Sequence, residues 1–289
     1  MASLLVSCRE SDPAPAHATN TAGTNVQIYS VTGVVRELKP DGKTVVIQHE
    51  AVTNYMPAMT MPFEVKDPRE LAGLQPGDQV TFRMLVAAKE GWIDQIEKTG
   101  ANDGSVSPAS ETFRRVREVE PLNVGDLIPD YPLTNELGQA FSLSRFKGDA
   151  LGLTFIFTRC PFPNFCPRMS SNFQEVSQKL TAMKGGPTNW HLLSISFDPE
   201  FDTPATLKAY AESHEYDTAH WSFASGAMIE IDAITEQFGL MFPRNGTGFD
   251  HNLRTVVIDA KGRVKKIFIG NEWKVDDFVA EMVEAARTP

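Results

Sequence analysis

Two thiols placed close together can form a disulfide, exchange one with a partner, or hold a soft metal ion. Cys160 and Cys166 are such a pair, separated by Pro161-Phe162-Pro163-Asn164-Phe165. Thiolate is the reactive and ligating form of cysteine, so whatever lowers the thiol pKa sets the chemistry. The flanking pattern supplies a cause. The apolar run 151–157 reads as a buried strand leading into the pair. Met169, Phe173, Val176, Leu180 and Met183 recur at steps of four and three, which predicts a helix leading out. Pro167 suits the first turn of that helix, where a missing N–H costs nothing. Cys166 therefore falls at a helix N-terminus, whose partial charge favours thiolate, and Cys160 just past a strand end. Three readings stay open: a structural disulfide, a redox dithiol and a metal dithiolate. Two thiolates hold a soft ion poorly without a third donor, so a downstream histidine is expected for the last.

A second soft cluster lies in the stretch 54–63. Met56, Met59 and Met61 fall within six residues. On a strand, Met59 and Met61 point to one face. His49 closes the preceding strand pattern and can approach them from a neighbouring strand. Thioethers with one imidazole suit Cu(I) or Ag(I) better than zinc or magnesium. The same methionines would also fill an irregular core.

The elements that must position these residues fall into two sets. Short strand patterns at 26–38, 44–49, 59–65, 77–87 and 92–97 alternate with turns such as Pro40-Asp41-Gly42-Lys43 and Pro76-Gly77-Asp78. Five short strands predict a small all-β barrel of OB type over 26–99, with Trp92 in its core. Residues 100–122 lack apolar periodicity and read as a linker. From 123 to 289 strands alternate with helices. Strands are expected at 151–157 and 191–197, helices at 204–213 and 230–238, a hairpin at 254–259 and 264–269, and a closing helix at 275–286. A short hairpin pairs 130–133 with 141–143. That order predicts an α/β thioredoxin-like domain. His214 and His220, near Trp221, are expected on a surface loop.

The whole chain narrows the partners. The formal net charge of −10 argues against nucleic acid, whose phosphates need clustered Lys and Arg. No apolar run reaches 18 residues, so no membrane-spanning helix is expected. The third cysteine, Cys8, follows Leu5-Val6-Ser7 and resembles the lipobox of a bacterial lipoprotein. Residues 1–7 are short for a full secretory signal. Residues 9–25 are rich in Ala, Pro, Thr, Asn and Ser, so 1–25 reads as a leader and flexible tether.

Longer strings now carry family resemblances. His49, Met56-Pro57, Met59-Thr60-Met61 and Pro76-Gly77-Asp78 resemble the CusF-like periplasmic copper-binding domain. That resemblance implies His49, Met59 and Met61 as Cu(I) ligands. Met56 occupies the place of the family's capping tryptophan, either as a further sulfur ligand or as no ligand. Gly125-Asp126, Phe157-Thr158-Arg159-Cys160-Pro161, Cys166-Pro167-Arg168-Met169, Ser196-Phe197-Asp198-Pro199, Asp202-Thr203-Pro204 and Asp250-His251-Asn252 resemble the Sco/SenC family in order. It implies that Cys160, Cys166 and His251 hold one copper, Cu(I) or Cu(II). Asp250 and Asp198 are candidates for supporting roles around it. Asp202-Thr203-Pro204 also reads as a helix cap.

The family usually has three residues between its cysteines; here there are five. Phe162 and Phe165 either pack over the site or anchor the loop. The implied function is a periplasmic or otherwise extracytoplasmic, lipid-tethered copper metallochaperone, more consistent with a carrier than an enzyme. Its recipient would be the copper-centre subunit of cytochrome c oxidase or another copper protein, with the Met/His site feeding the Cys-Cys-His site. The alternative is a thiol-disulfide oxidoreductase in which Cys160 and Cys166 cycle.

Overall fold

The computed structural model describes residues 26–100, 119–245 and 248–287. The expected tether with Cys8, and most of the expected linker, lie outside the described residues. The first unit is a five-stranded antiparallel sheet of β1 (Gln27–Leu38), β2 (Thr44–His49), β3 (Met59–Glu64), β4 (Gln79–Val86) and β5 (Gly91–Gly100). Its order is β3-β2-β1-β4-β5. A parallel bridge between Val65 and Ile93 joins the two edges and closes a small barrel. Period-two alternation builds its core. Val45, Ile47 and His49 of β2 are buried, as are Met59, Met61 and Phe63 of β3, while the residues between them are less so. Trp92 departs from expectation. It is half-buried and carries the Lys66 ammonium over its ring at 4.6 Å. Even register puts Gly91 and Ile93 inward and Trp92 on the other face.

The second unit is a seven-stranded mixed sheet. Its elements are β6 (Pro132–Asn135), β7 (Ala140–Ser142), β8 (Ala150–Ile156), α1 (Cys166–Ala182), β9 (Trp190–Ser196), α2 (Pro204–Ser213), β10 (Trp221–Ser225), α3 (Met228–Gln237), β13 (Arg254–Ile258), β14 (Val264–Ile269) and α4 (Val275–Ala286). Between α3 and β13 lies a two-stranded ribbon of β11 (Arg244–Asn245) and β12 (Gly248–Phe249). The sheet order is β14-β13-β8-β9-β10-β6-β7, with β8, β9 and β10 parallel. This is the thioredoxin-like arrangement expected. Every residue of central β8 is buried, as a strand covered on both faces must be. Gly152 in β8 is required by packing, because an added Cβ would sit 2.7 Å from Leu192 and 3.0 Å from Phe278 of α4. Helices α1 and α4 meet through Phe173 and Phe278, with ring centroids 5.5 Å apart.

Three strands were not foreseen, the short β11 and β12 of the ribbon and, more consequentially, β10. The segment expected as a loop around Trp221 is β10, and Trp221 is fully buried. His220 immediately before it stacks on Trp190 at 4.3 Å and pairs with Asp217 at 2.9 Å. His214 caps the end of α2. The run Trp-Ser-Phe-Ala-Ser is short and polar-interrupted, and only its neighbours in the sheet make it a strand.

The barrel and the second unit pack together. Phe162, Phe165, Met169 and Leu253, all from the second unit, belong to the barrel's own buried cluster. Lys43 pairs with Glu272 at 2.7 Å on the rim. That pair is exposed and contributes little; the buried aromatics dominate, at roughly 1.5–3 kcal/mol each.

Candidate metal centre

Three elements bring three soft donors together. Cys160 follows β8, Cys166 is the first residue of α1, and His251 lies in the turn between β12 and β13. The two sulfurs and a ring nitrogen of His251 all lie within 4.8 Å of one another. Both cysteines are free thiols. The Nδ1 of His251 faces the Asn252 carbonyl at 2.9 Å, which leaves Nε2 for the sulfurs. Rings of Phe157, Phe165 and Phe197 wall the imidazole at 5.3–5.4 Å. The local chain explains the placement. Asp250 N–H donates to the Pro243 carbonyl at 3.0 Å, which folds the ribbon back and presents His251.

The two thiols are not equivalent. Burial opposes a Cys160 thiolate, but hydrogen bonds from Cys166 and His251 outweigh it and hold this thiol well below the ordinary value. Burial, then the hydrogen bond and charge of Cys160, push Cys166 well above it. The sequence placed the helix-favoured thiolate on Cys166. The backbone N–H of Cys166, at the start of α1, instead supports the Cys160 sulfur. The first proton therefore leaves Cys160.

Buried carboxylates brace the loop. Asp202 accepts from Thr158 N at 3.0 Å, Thr158 Oγ1 at 2.5 Å and Ser196 Oγ at 2.5 Å. Burial raises its pKa. Asp202 thus ties the exit of β8 to the end of β9, and the capping of α2 falls to Thr203 alone, whose Oγ1 accepts from Thr206 N at 3.3 Å. Sequence reasoning missed this role for Asp202, because the cap reading already accounted for it. Asp198 is buried and pairs with Arg159 at 2.5 Å. Arg159 in turn lies over Phe201 at 4.2 Å. Asp250 does something the sequence did not indicate. Its Oδ1 accepts the backbone N–H of Thr60 at 2.8 Å, pinning the strand that carries Met59 and Met61.

The barrel's cluster is assembled as its pattern requires. In the β2–β3 register His49 is opposite Met59, and Ile47 opposite Met61, so His49, Met59 and Met61 share one face. His49 is 2% exposed, and its Nδ1 faces the Glu50 carbonyl at 2.7 Å. Its Nε2 is buried without a partner. A buried unpaired imidazole nitrogen is costly unless something else satisfies it. Burial lowers the pKa of His49, keeping the neutral, ligating form. The residues present therefore fit a soft cation at both clusters. Met56 is buried in the barrel core, bridged to Val52. Tyr55 beside it stacks on Tyr29 at 4.7 Å and donates to the Pro161 carbonyl at 2.9 Å.

The two clusters face each other. Met59, Met61, Cys160, His251, Phe162 and Phe165 line one cavity of ≈ 20 Å³ between the barrel and the second unit. That is room for about one water-sized particle. The segment between the cysteines makes this contact. Asn164 donates from Nδ2 to the Gly91 carbonyl at 2.7 Å and accepts the Gly91 N–H on Oδ1 at 2.9 Å. Asn271 Nδ2 donates to the Asn164 carbonyl at 2.8 Å. Phe162, 2% exposed, lies edge-on to Phe63 at 5.7 Å and brings its ring tip, Cζ and Cε2, against Gly91. The extra loop length is thus an interdomain clasp as well as a wall. The signal was in the sequence, since two phenylalanines and an asparagine are unusual cargo for a solvated loop, but their partner surface was not.

A thioredoxin-like unit with a dithiol and an imidazole at the start of its first helix defines a class of soft-metal or thiol-redox proteins. Residues 119–287 match the SCO1/SenC family, and the chain belongs to it. Residues 28–98 match the copper binding periplasmic protein CusF family. A SCO1 protein homolog from Bacillus subtilis is 27% identical over 173 residues, covering 58% of this chain and 86% of the relative. A putative copper-binding protein of Stutzerimonas stutzeri is 31% identical over 127 residues, 44% of this chain and 59% of the relative. The crystal structure of a SCO1/SenC family lipoprotein from Bacillus anthracis aligns with TM-score 0.50 and 26% identity, covering 59% of this chain and all of that one. Copper is the metal that the donor sets and the matched families have in common.

Proposed function

We propose that this chain is an extracytoplasmic copper carrier. Cys160, Cys166 and His251 hold the ion, and His49, Met59 and Met61 form a softer Cu(I) cluster that feeds them. The observation that carries the reading is the facing of the two clusters across one cavity, with the dithiol and imidazole donors within 4.8 Å of one another. Copper is cargo in this reading, and the protein's work is to present donors. The asymmetry of the thiols supports capture, since Cys160 gives up its proton more readily than Cys166. The barrel set supplies thioethers, which favour the monovalent ion.

The recipient is a copper protein, with the copper-centre subunit of cytochrome c oxidase the leading candidate from the family resemblance. A lipid on Cys8 would tether the chain to a membrane, and no helix among the described residues is long and apolar enough to cross one. Asp250 and Asp198 support the site from behind: one pins the methionine strand, the other holds Arg159.

Copper titration of the reduced chain tests the reading. Loss of tight binding is expected for His251→Ala and for Cys160→Ser. Unchanged binding in both sinks the carrier. A second reading, thiol-disulfide exchange, is favoured by the low pKa of Cys160. It expects disulfide reductase activity that survives His251→Ala while copper binding is lost.

A further inference from the structure

The two clusters sit in separate folds, which would make them separate sites. The structure points elsewhere. The cavity between them has space for about one small particle, and its lining mixes both donor sets: Met59 and Met61 from β3, Cys160 and His251 from the second unit. We propose that they form one composite site: an ion held by Cys160, Cys166 and His251 takes a thioether from Met59 or Met61 across the interface. The loop between the cysteines holds that thioether in reach. This rests on the copper reading above and adds a ligand to it.

Three independent features converge on the arrangement. The first is the clasp itself. Gly91 is bare where Phe162 lies against it, and the two Asn164–Gly91 hydrogen bonds pair a side-chain amide with a backbone amide in both directions. Asn164 is 4% exposed, so these bonds are desolvated and specify register. The second is the Asp250 bond to Thr60 N–H, which fixes the residue between the two methionines to the residue next to His251. The third is donor chemistry. A soft ion held by two thiolates and an imidazole would accept a neutral thioether as a further ligand, which adds no charge to a dry site.

Exclusion follows from the same packing. Phe157, Phe162, Phe165 and Phe249 complete the cavity wall, so little room is left for an outside thiol to be the further ligand. The thioether also belongs to the His49 face of the barrel. An ion moving between the two sets would keep at least one protein sulfur throughout.

The test uses the reduced full-length chain with one equivalent of Cu(I) and X-ray absorption at the copper edge. Three sulfurs and one nitrogen are expected. Met59→Leu with Met61→Leu should give two sulfurs and one nitrogen, with affinity weaker by at least about tenfold, the scale at which even indirect ligand support registers. Phe162→Ala with Asn164→Ala leaves every ligand in place and should also drop the count to two. Circular dichroism of both variants checks that each unit remains folded. Two sulfurs and one nitrogen in the unmodified chain overturn the composite site. Three sulfurs retained in the clasp variant overturn the role of the loop. Copper binding unaffected by Cys160→Ser with Cys166→Ser overturns the carrier reading itself.

Discussion

At the scale of single residues the two cysteines divide the work. Cys160 is the half-buried, low-pKa thiol and Cys166 the fully buried, high-pKa one. Alkylation of the reduced, metal-free chain at neutral pH should therefore modify Cys160 well before Cys166. Peptide mass spectrometry reads the ratio, and equal labelling would contradict the assignment. A second prediction concerns His191. Its ring stacks on Phe146 at 4.7 Å and its Nε2 meets Ser222 Oγ at 2.9 Å. Burial, then the charge of His220, lower its pKa from 6.5 to about 4. The folded protein binds this proton less readily than the unfolded chain. The stability it contributes is therefore complete above pH 6.5 and is lost as pH falls toward 4. The loss is at most about 3 kcal/mol. His191→Gln should flatten that limb of a urea-midpoint profile, and an unchanged slope would remove His191 as the cause.

At the scale of elements, the loop between the cysteines couples the site to the fold. An alanine at position 91 would place its Cβ 2.6 Å from Cζ and 2.7 Å from Cε2 of Phe162. Both the strand and the buried ring are held on several sides, so neither yields easily. Gly91→Ala should cost about 1–3 kcal/mol by overpacking. Phe162→Ala costs its own burial, but adding Gly91→Ala to it should cost little more, because the clash has gone. A double-mutant cycle by urea denaturation measures that coupling, and strict additivity would place the strain elsewhere. The same loop marks the limit of sequence reading. The strands carrying His49, Met59 and Met61 were legible because period two fixes the inward face, and α1 because its apolar steps are regular. Cys160, Cys166 and His251 were legible through the family strings. What Phe162 and Asn164 touch was not, because their partner, Gly91, is 71 and 73 residues away and has no side chain to advertise the contact. Asp202 and β10 were obscured for a related reason, since each has a local reading that only the assembled sheet overrides.

At the scale of the whole molecule, the question is whether the two units unfold as one. A barrel of this size buries too little surface to be robust alone. Its buried cluster is completed by Phe162, Phe165, Met169 and Leu253 from the other unit. Undocking would expose these side chains and leave the Gly91 amide and the Asn164 amide to find water. The metal-free chain should accordingly melt in a single calorimetric transition, because the barrel cannot persist once its partner opens. Phe162→Ala with Asn164→Ala removes one buried interface ring and both clasp hydrogen bonds while leaving every strand of the two sheets unchanged in sequence. It should split the transition in two, the barrel melting first, with its onset lowered and the second unit's midpoint little changed. Intrinsic fluorescence helps assign the phases, since Trp92 belongs to the barrel and Trp190, Trp221 and Trp273 to the second unit. Two transitions already present in the unmodified chain would mean that docking contributes little to stability. The apposition of the methionine and cysteine donors would then depend on the ion rather than on the clasp.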